Sequence, residues 1–325
     1  MSKPMRGRHF IDTQEWSDRE IELLIETSAD LKRKFHRDEP HALLRDRTLF
    51  MLFFEQSTRT RNSFEAGMTQ LGGHAHDLTP EKLQVSHGET AKDTALVLSR
   101  YGHGIAIRNC DWGKGNTFIR DVAAISRVPV INMQCDRYHP CQAVADLMTV
   151  REKFGADLRG RRIAVTWTYA PNYVRPLSVP QSEILIMTRA GLDVVLAHPP
   201  EFRLEPEILA QAAANAARMG TRFEVVDDMD AAFTGASVVY PKSWGCLVHE
   251  PRREAAVKTI EKYPGWICDE RRMRLARPEA IYMHPLPASR GLEVADAVID
   301  GPQSAVWDQA ENRLHTAKGL MALTM

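Results

Sequence analysis

The sequence predicts an α/β protein of two doubly wound domains with mainly parallel sheets, and three observations carry that prediction. Short apolar runs of strand length alternate with longer segments of helical period, the rhythm of strand, crossover helix, strand. The chain has 325 residues, too many for one ordinary core and suited to two of roughly 150 each. The alternation also restarts near Asp157, after a helix expected over about 140–154, so a boundary between two domains is expected near residue 150.

The first helix is announced by Ser17 and Glu20, a capping-box pair, and by the stripe Ile21, Leu24, Ile25, Ala29 and Leu31, which runs to about Phe35. The apolar run Leu49 to Phe54 reads as a buried strand, and Ser57, Thr58, Arg59, Thr60 and Arg61 open the next helix. The first turn of a helix has unpartnered N–H groups and the positive end of the macrodipole, so this is where an anion would sit. Hydroxyls add donors there, and an arginine adds a planar fork matched to phosphate oxygens. The same five residues would equally serve as a Ser/Thr-capped helix with two solvated arginines.

Further on, His74 to Leu78 reads as a short strand, and a helix starts at Thr90 after an aperiodic loop rich in Lys82, Gln84, Ser86 and His87. The strand at 104–109 carries Arg108 at its end, and the strand at 128–134 leads through Gln134 into His139, Pro140 and Gln142. Ligands collect at the carboxyl ends of strands in open parallel sheets. His139 and Gln142 flank the N-terminus of the next helix, where Pro140 fits the first turn and Gln142 offers a donor and an acceptor. Beyond Asp157 the strand GRRIAVTWTYAP is followed by Pro171, Pro176 and Pro180 instead of the G-x-G-x-x-G of a dinucleotide site, which excludes that cofactor class. Helices near 179–190 and 205–219 alternate with three strands, the last ending at Lys242, Ser243 and Trp244. The chain closes on the strand IYM, the rigid turn His284-Pro285-Leu286-Pro287 with its candidate cis bonds, and a helix over about 303–323 that bears Arg313 and His315.

Composition narrows the class. Lys plus Arg and Asp plus Glu number 42 each, so no global field draws nucleic acid or an anionic membrane, and any anion site must be local. Five cysteines without C-x-x-C spacing fit a reducing cytoplasm better than a disulfide framework or zinc ribbon. No apolar stretch is long enough for a membrane span. No motif asks for a metal or organic cofactor.

Taken together, S-T-R-T-R, the strand-end Arg108, H-P-C-Q, and H-P-L-P followed by Q-A-E-N-R resemble the aspartate/ornithine carbamoyltransferases, in the family's order and over nearly the whole chain. The resemblance implies a carbamoyl phosphate domain over 1–150 to which the closing helix at 303–325 returns, an amino-acid domain over 151–302, usually a homotrimer, and a reaction with two small-molecule substrates, carbamoyl phosphate and an amine. It assigns Ser57, Thr58, Arg59, Thr60 and Arg108 to the phosphate, and Arg108, His139, Gln142 and the Leu286 carbonyl to the carbamoyl group. Arg313 is the arginine of the closing helix. Within the family, WTYAPNYVRPLSVPQ and K-S-W-G are similar to the knotted branch, which includes the N-acetylornithine and N-succinylornithine enzymes and related enzymes of unassigned acceptor. Lys242, Ser243, Trp244, Glu293 and Gln134 are then the candidate acceptor residues, and Gln84, Ser86 and His87 the candidates for completing a neighbouring subunit's site.

Three departures leave the acceptor open. Val239 replaces the aspartate that pairs with the amino group in ornithine enzymes, Gln134-Cys135 replaces a glutamate region of the acetylornithine enzyme, and Glu293 stands where that enzyme has a carboxylated lysine. Pro285 belongs to the aspartate enzyme's pattern. The second reading is a non-catalytic carbamoyl phosphate-binding homologue.

Overall fold

The computed structural model describes residues 5–84, 88–171 and 174–325. The chain divides into two compact units, 1–145 with 311–325, and 146–310.

Unit 1 contains α1 (Asp18–His36), β1 (Thr48–Phe53), α2 (Arg59–Gln70), β2 (His74–Leu78), α3 (Ala91–Tyr101), β3 (Gly104–Asn109), α4 (Gly115–Ile125) and β4 (Val130–Cys135), and the first turns of α5 (Pro140–Phe154). The sheet order is β2-β1-β3-β4, with every pair parallel. The order reverses between β1 and β3, so the loops leaving those two strands diverge at the sheet's switch point. β1 is buried from Leu49 to Phe53, as its unbroken apolar run requires of a parallel strand covered on both faces. Phe50, Leu52, Ile105, Ile107, Ile119 and Val130 share one core.

Unit 2 continues α5 and adds β5 (Arg162–Trp167), α6 (Ser178–Arg189), β6 (Asp193–Ala197), α7 (Pro206–Met219), β7 (Phe223–Val226), α8 (Met229–Phe233), β8 (Val238–Lys242), α9 (Arg253–Ile260), α10 (Glu270–Met273), β9 (Ile281–Tyr282), α11 (Asp296–Ile299) and the start of α12 (Val306–Thr324). Its sheet, β7-β6-β5-β8-β9, is again parallel and reverses between β5 and β8. The doubly wound prediction therefore holds in both units.

Several local details differ from the sequence reading, which has no counterpart for the short helices α8 to α11. The helix α4 escaped it, because the Gly- and Asp-containing run before Gly115 hides a short apolar stripe at Phe118, Ile119 and Val122. The start of this helix is fixed from outside, where the Asp136 carboxylate accepts the Gly113 and Asn116 N–H groups at 2.8 Å each. The strand β4 begins at Val130, after the Ser126 hydroxyl has closed a turn with Val128. The closing helix starts at Val306 and not at 303, because Gln303 and Ala305 still bond the Tyr282 backbone on either side.

From Glu311 onward α12 belongs to unit 1, where two glycines let it lie close to its neighbours. A Cβ on Gly67 of α2 would stand 3.0 Å from Met321 Cε, and one on Gly319 would stand 2.2 Å from Ser28 Oγ of α1. Only a missing side chain permits that approach.

Candidate active site

In unit 1 the site grows from three adjacent strand ends. Phe53 of β1 lies beside Arg108 of β3, and Arg108 lies beside Gln134 of β4, so the segments that leave these strands fan out from one edge. After β1 the chain passes Ser57 and Thr58 and enters α2 at Arg59. Thr58 stands at the cap position, yet its backbone is helical and its side chain makes no capping bond. The plain Ser/Thr-cap reading therefore does not describe this turn.

Arg59, Arg108 and Arg313 come from a helix start, a strand end and the closing helix, and all three act electrostatically on His139. Arg313 donates to Thr60 Oγ1 at 3.1 Å and to Gln142 Oε1. Arg108 donates to Gln134 Oε1, and its Nε is 3.9 Å from Glu55 Oε2. Burial, with Arg313 and Arg108 nearby, pushes the Arg59 guanidinium down to about 10. Burial and the same arginine cluster hold His139 well below the ordinary imidazole value, so the ring is neutral. Its carbonyl accepts the N–H groups of Gln142 and Ala143 and starts α5. Three cations around a neutral ring make a site for a compact, multiply charged anion.

The second cluster lies in unit 2 at the ends of β5 and β8 and centres on Glu293, which is fully buried. Glu293 Oε1 accepts the Ser243 N–H at 2.8 Å and lies 3.4 Å from Lys242 Nζ, His284 Nε2 and Thr168 Oγ1. Its Oε2 accepts the Ser289 N–H at 2.8 Å and faces Arg175 at 3.2 Å. Arg175 also donates to the Ser243 hydroxyl at 2.6 Å and the Ser289 hydroxyl at 3.0 Å. Burial alone would raise the Glu293 carboxyl, but Lys242, His284 and Arg175 outweigh it and hold the group ionised, well below its ordinary value. Burial pushes His284 down to about 4, so its imidazole is neutral.

The expected residues therefore fall into two groups. Arg59, Thr60, Arg108, His139, Gln142 and Arg313 meet in unit 1, with Ser57 and Thr58 at the mouth of α2. Gln134 joins them as the partner of Arg108. Lys242, Ser243 and Glu293 meet in unit 2, and Leu286 follows His284 there, its N–H bonded to His284 Nδ1 at 2.9 Å ahead of a cis Leu286-Pro287 bond. Trp244 is 1% exposed and braces the core, its Nε1 donating to Phe202 O at 2.7 Å and its carbonyl accepting Trp167 Nε1. Gln84 sits in the loop before α3, while Ser86 and His87 lie outside the described residues. Sequence reasoning missed Glu55, Thr168, Arg175 and Ser289. For Arg175 a signal existed, a lone cation inside a proline-rich loop that leaves a switch-point strand.

Two of the sequence's general expectations also meet the structure. All five cysteines are free, and no helix among the described residues is long and apolar enough to cross a membrane.

Comparison with known proteins completes the description. Residues 8–152 match the aspartate/ornithine carbamoyltransferase carbamoyl-P binding domain, and residues 176–324 match the Asp/Orn binding domain of the same family. An ornithine carbamoyltransferase of Methanoculleus marisnigri is 39% identical over 314 residues, covering 97% of this chain and 96% of its own. An N-acetylornithine carbamoyltransferase of Xanthomonas campestris is 39% identical over 340 residues, covering 98% of each. Among solved structures, an acetylornithine transcarbamylase complexed with acetylcitrulline superposes with a TM-score of 0.90 at 37% identity, covering 97% of this chain and 98% of that one. The ornithine carbamoyltransferase of Pyrococcus furiosus gives 0.89 at 38%, covering 99% and 98%. The chain belongs to the aspartate/ornithine carbamoyltransferase family.

Proposed function

We propose that the protein transfers the carbamoyl group of carbamoyl phosphate to the amine of a carboxylate-bearing acceptor. The observation that supports this most is the convergence of Arg59, Arg108 and Arg313 on the neutral ring of His139. The arginines, the first turn of α2 and the hydroxyls of Ser57, Thr58 and Thr60 hold the phosphoryl oxygens. Arg108, His139 and Thr60 donate to the carbonyl oxygen as it takes on charge, and Gln142 orients the carbamoyl amide. The amine lone pair forms the new C–N bond, the C–O bond to phosphate breaks, and the phosphate leaves with the electron pair. The attacking nitrogen loses one proton, which the leaving phosphate is placed to accept. A neutral His139 serves as a hydrogen-bond donor in this scheme and not as the acid.

The same reading gives unit 2 the recognition of the acceptor. Lys242 and Arg175 are cationic donors buried at the strand ends of this unit, the type of group that recognises an α-carboxylate. Glu293 already accepts from both neighbouring backbone N–H groups and faces Lys242, Arg175 and His284. Val239 offers no charge, so neither residue is placed to pair with an α-ammonium, and an N-acylated ornithine fits better than ornithine itself. Homotrimeric assembly, the threaded chain of the knotted branch and a cytoplasmic location belong to this proposal through the family resemblance.

The test is the Arg59→Ala variant with carbamoyl phosphate and a panel of amines, scoring ureido product. Loss of a charged, hydrogen-bonded partner costs about 2–5 kcal/mol, or roughly 30- to 5,000-fold in kcat/KM. Unchanged kinetics for carbamoyl phosphate would remove the phosphate assignment. Tight carbamoyl phosphate binding by the parent without turnover of any amine would favour the non-catalytic homologue.

A further inference from the structure

One cluster of ligating side chains in unit 1 has no part in the proposed reaction. His36 ends α1, and Glu311 and His315 stand four residues apart on one face of α12. His36 Nε2 is 2.8 Å from Glu311 Oε1, and His315 Nε2 is 3.3 Å from the same oxygen. One ligand atom from each residue lies within 4.8 Å of the others. Four donors around a tetrahedral zinc with bonds of about 2.0–2.1 Å are separated by roughly 3.4 Å, so these atoms already stand near coordinating distance. The second carboxylate oxygen is held elsewhere. Glu311 Oε2 faces Lys32 Nζ at 3.7 Å, and Lys32 also bonds Asn312 Oδ1 at 2.8 Å. Oε1 is thereby left as the oxygen that meets both imidazoles. The buried His315 ring is packed 5.5 Å from Phe35, and the exposed His36 side opens the fourth position to solvent.

We propose that His36, Glu311 and His315 form a binding site for a divalent transition-metal cation of the zinc class, pinning the end of α1 to α12. Two imidazoles and one carboxylate from two helices match the borderline-soft cations and not magnesium or calcium, which prefer oxygen. In α-helical geometry Arg313 points away from the face shared by residues 311 and 315. The ion is therefore structural and supplies nothing to the transfer step. Affinity in the micromolar range is expected, since Lys32 opposes the cation and His315 Nδ1 has no hydrogen-bond acceptor among the described residues.

The experiment uses untagged, chelator-stripped full-length protein titrated with Zn2+ by calorimetry and with Co2+ by visible absorption. One ion per chain, a tetrahedral Co2+ spectrum and a higher Tm with metal are expected. The His36→Ala and Glu311→Gln variants should bind more than about tenfold more weakly, the loss that even an outer-shell partner can cause. Both alter partly exposed side chains, so folding can be verified by circular dichroism and by unchanged carbamoyl phosphate binding. Absence of binding to the parent, or binding by both variants as tight as the parent's, overturns the site. Neither result bears on the transferase reading.

Discussion

At the scale of single residues, His139 is neutral because the chain buries it and places cations beside it. Both causes disfavour the protonated ring: burial removes the water that would solvate the charge, and Arg313, Arg108 and Arg59 repel it. The sign follows directly. With its folded value well below 6.5, His139 does not gain its proton as pH falls from about 8 to 6, the range in which an ordinary histidine titrates. An NMR titration should show the His139 ring neutral throughout that window. Arg59→Ala, which removes one cation without touching the ring, should move its midpoint upward, and bound phosphate should do the same. A midpoint near the ordinary value in the free parent would mean that the guanidinium groups do not gather around this ring in solution.

At the scale of elements, the closing helix shows how packing delivers a functional group. Arg313 reaches Thr60 and Gln142 only because α12 lies close to α1 and α2, and two glycines allow this with unequal tolerance. A methyl on Gly67 meets the flexible end of Met321, which can move aside. A methyl on Gly319 meets Ser28 Oγ at 2.2 Å, and that hydroxyl is fixed by its 2.6 Å bond to the Leu24 carbonyl. Gly319→Ala should therefore destabilise by about 1–3 kcal/mol, as overpacking does, and raise KM for carbamoyl phosphate by displacing Arg313. Gly67→Ala should cost less than Gly319→Ala, because the atoms it meets, Met321 Cε at 3.0 Å and Lys318 Cγ at 3.2 Å, belong to side chains that can yield. Adding Ser28→Ala to Gly319→Ala should recover part of both losses, and no recovery would show that the clash is not with that hydroxyl.

Elements were the most legible part of the sequence, for reasons visible in particular residues. The capping box at Ser17 and Glu20, both of whose bonds form, is a local signal, and so is the unbroken apolar run of β1. The start of α12 was not local, because Gln303 and Ala305 answer to the Tyr282 backbone about twenty residues away. Site residues inherited the same limit. Arg108 and His139 were readable from their strand ends. The roles of Trp244 as a core brace, Gln134 as the partner of Arg108 and Arg175 as a clamp on Glu293 depend on partners that folding alone brings near.

At the scale of the whole molecule, 42 basic and 42 acidic residues cancel, so global charge repulsion is a weak source of pH dependence near neutrality. Buried groups of opposite sign should dominate instead. Glu293 has a folded value held down by Lys242, His284 and Arg175 against the effect of burial. Its stabilisation is full above the unfolded value of 4.5 and is lost as pH falls through the folded value. Glu183 is the reverse case. Burial first, and the Asp146 carboxylate next, raise it well above 4.5, while Asp146 accepts from Tyr240 at 2.8 Å and from Gln309 at 2.7 Å. Between its unfolded and folded values the native state keeps a proton that the unfolded chain releases, so stability falls as pH rises through that window. Glu183→Gln supplies a permanent donor of the same shape, and its Tm should exceed that of the parent by about 2 °C or more near pH 8. The gap should close near pH 4, where both states of the parent are protonated. Glu293→Gln should instead lose about 3–5 kcal/mol at neutral pH, because two buried cations lose their counter-charge. Thermal melts of the three proteins from pH 4 to about 8 separate these effects, and a Glu183→Gln protein that melts below the parent by the same margin at every pH would show that Glu183 is not the proton-bearing partner of Asp146.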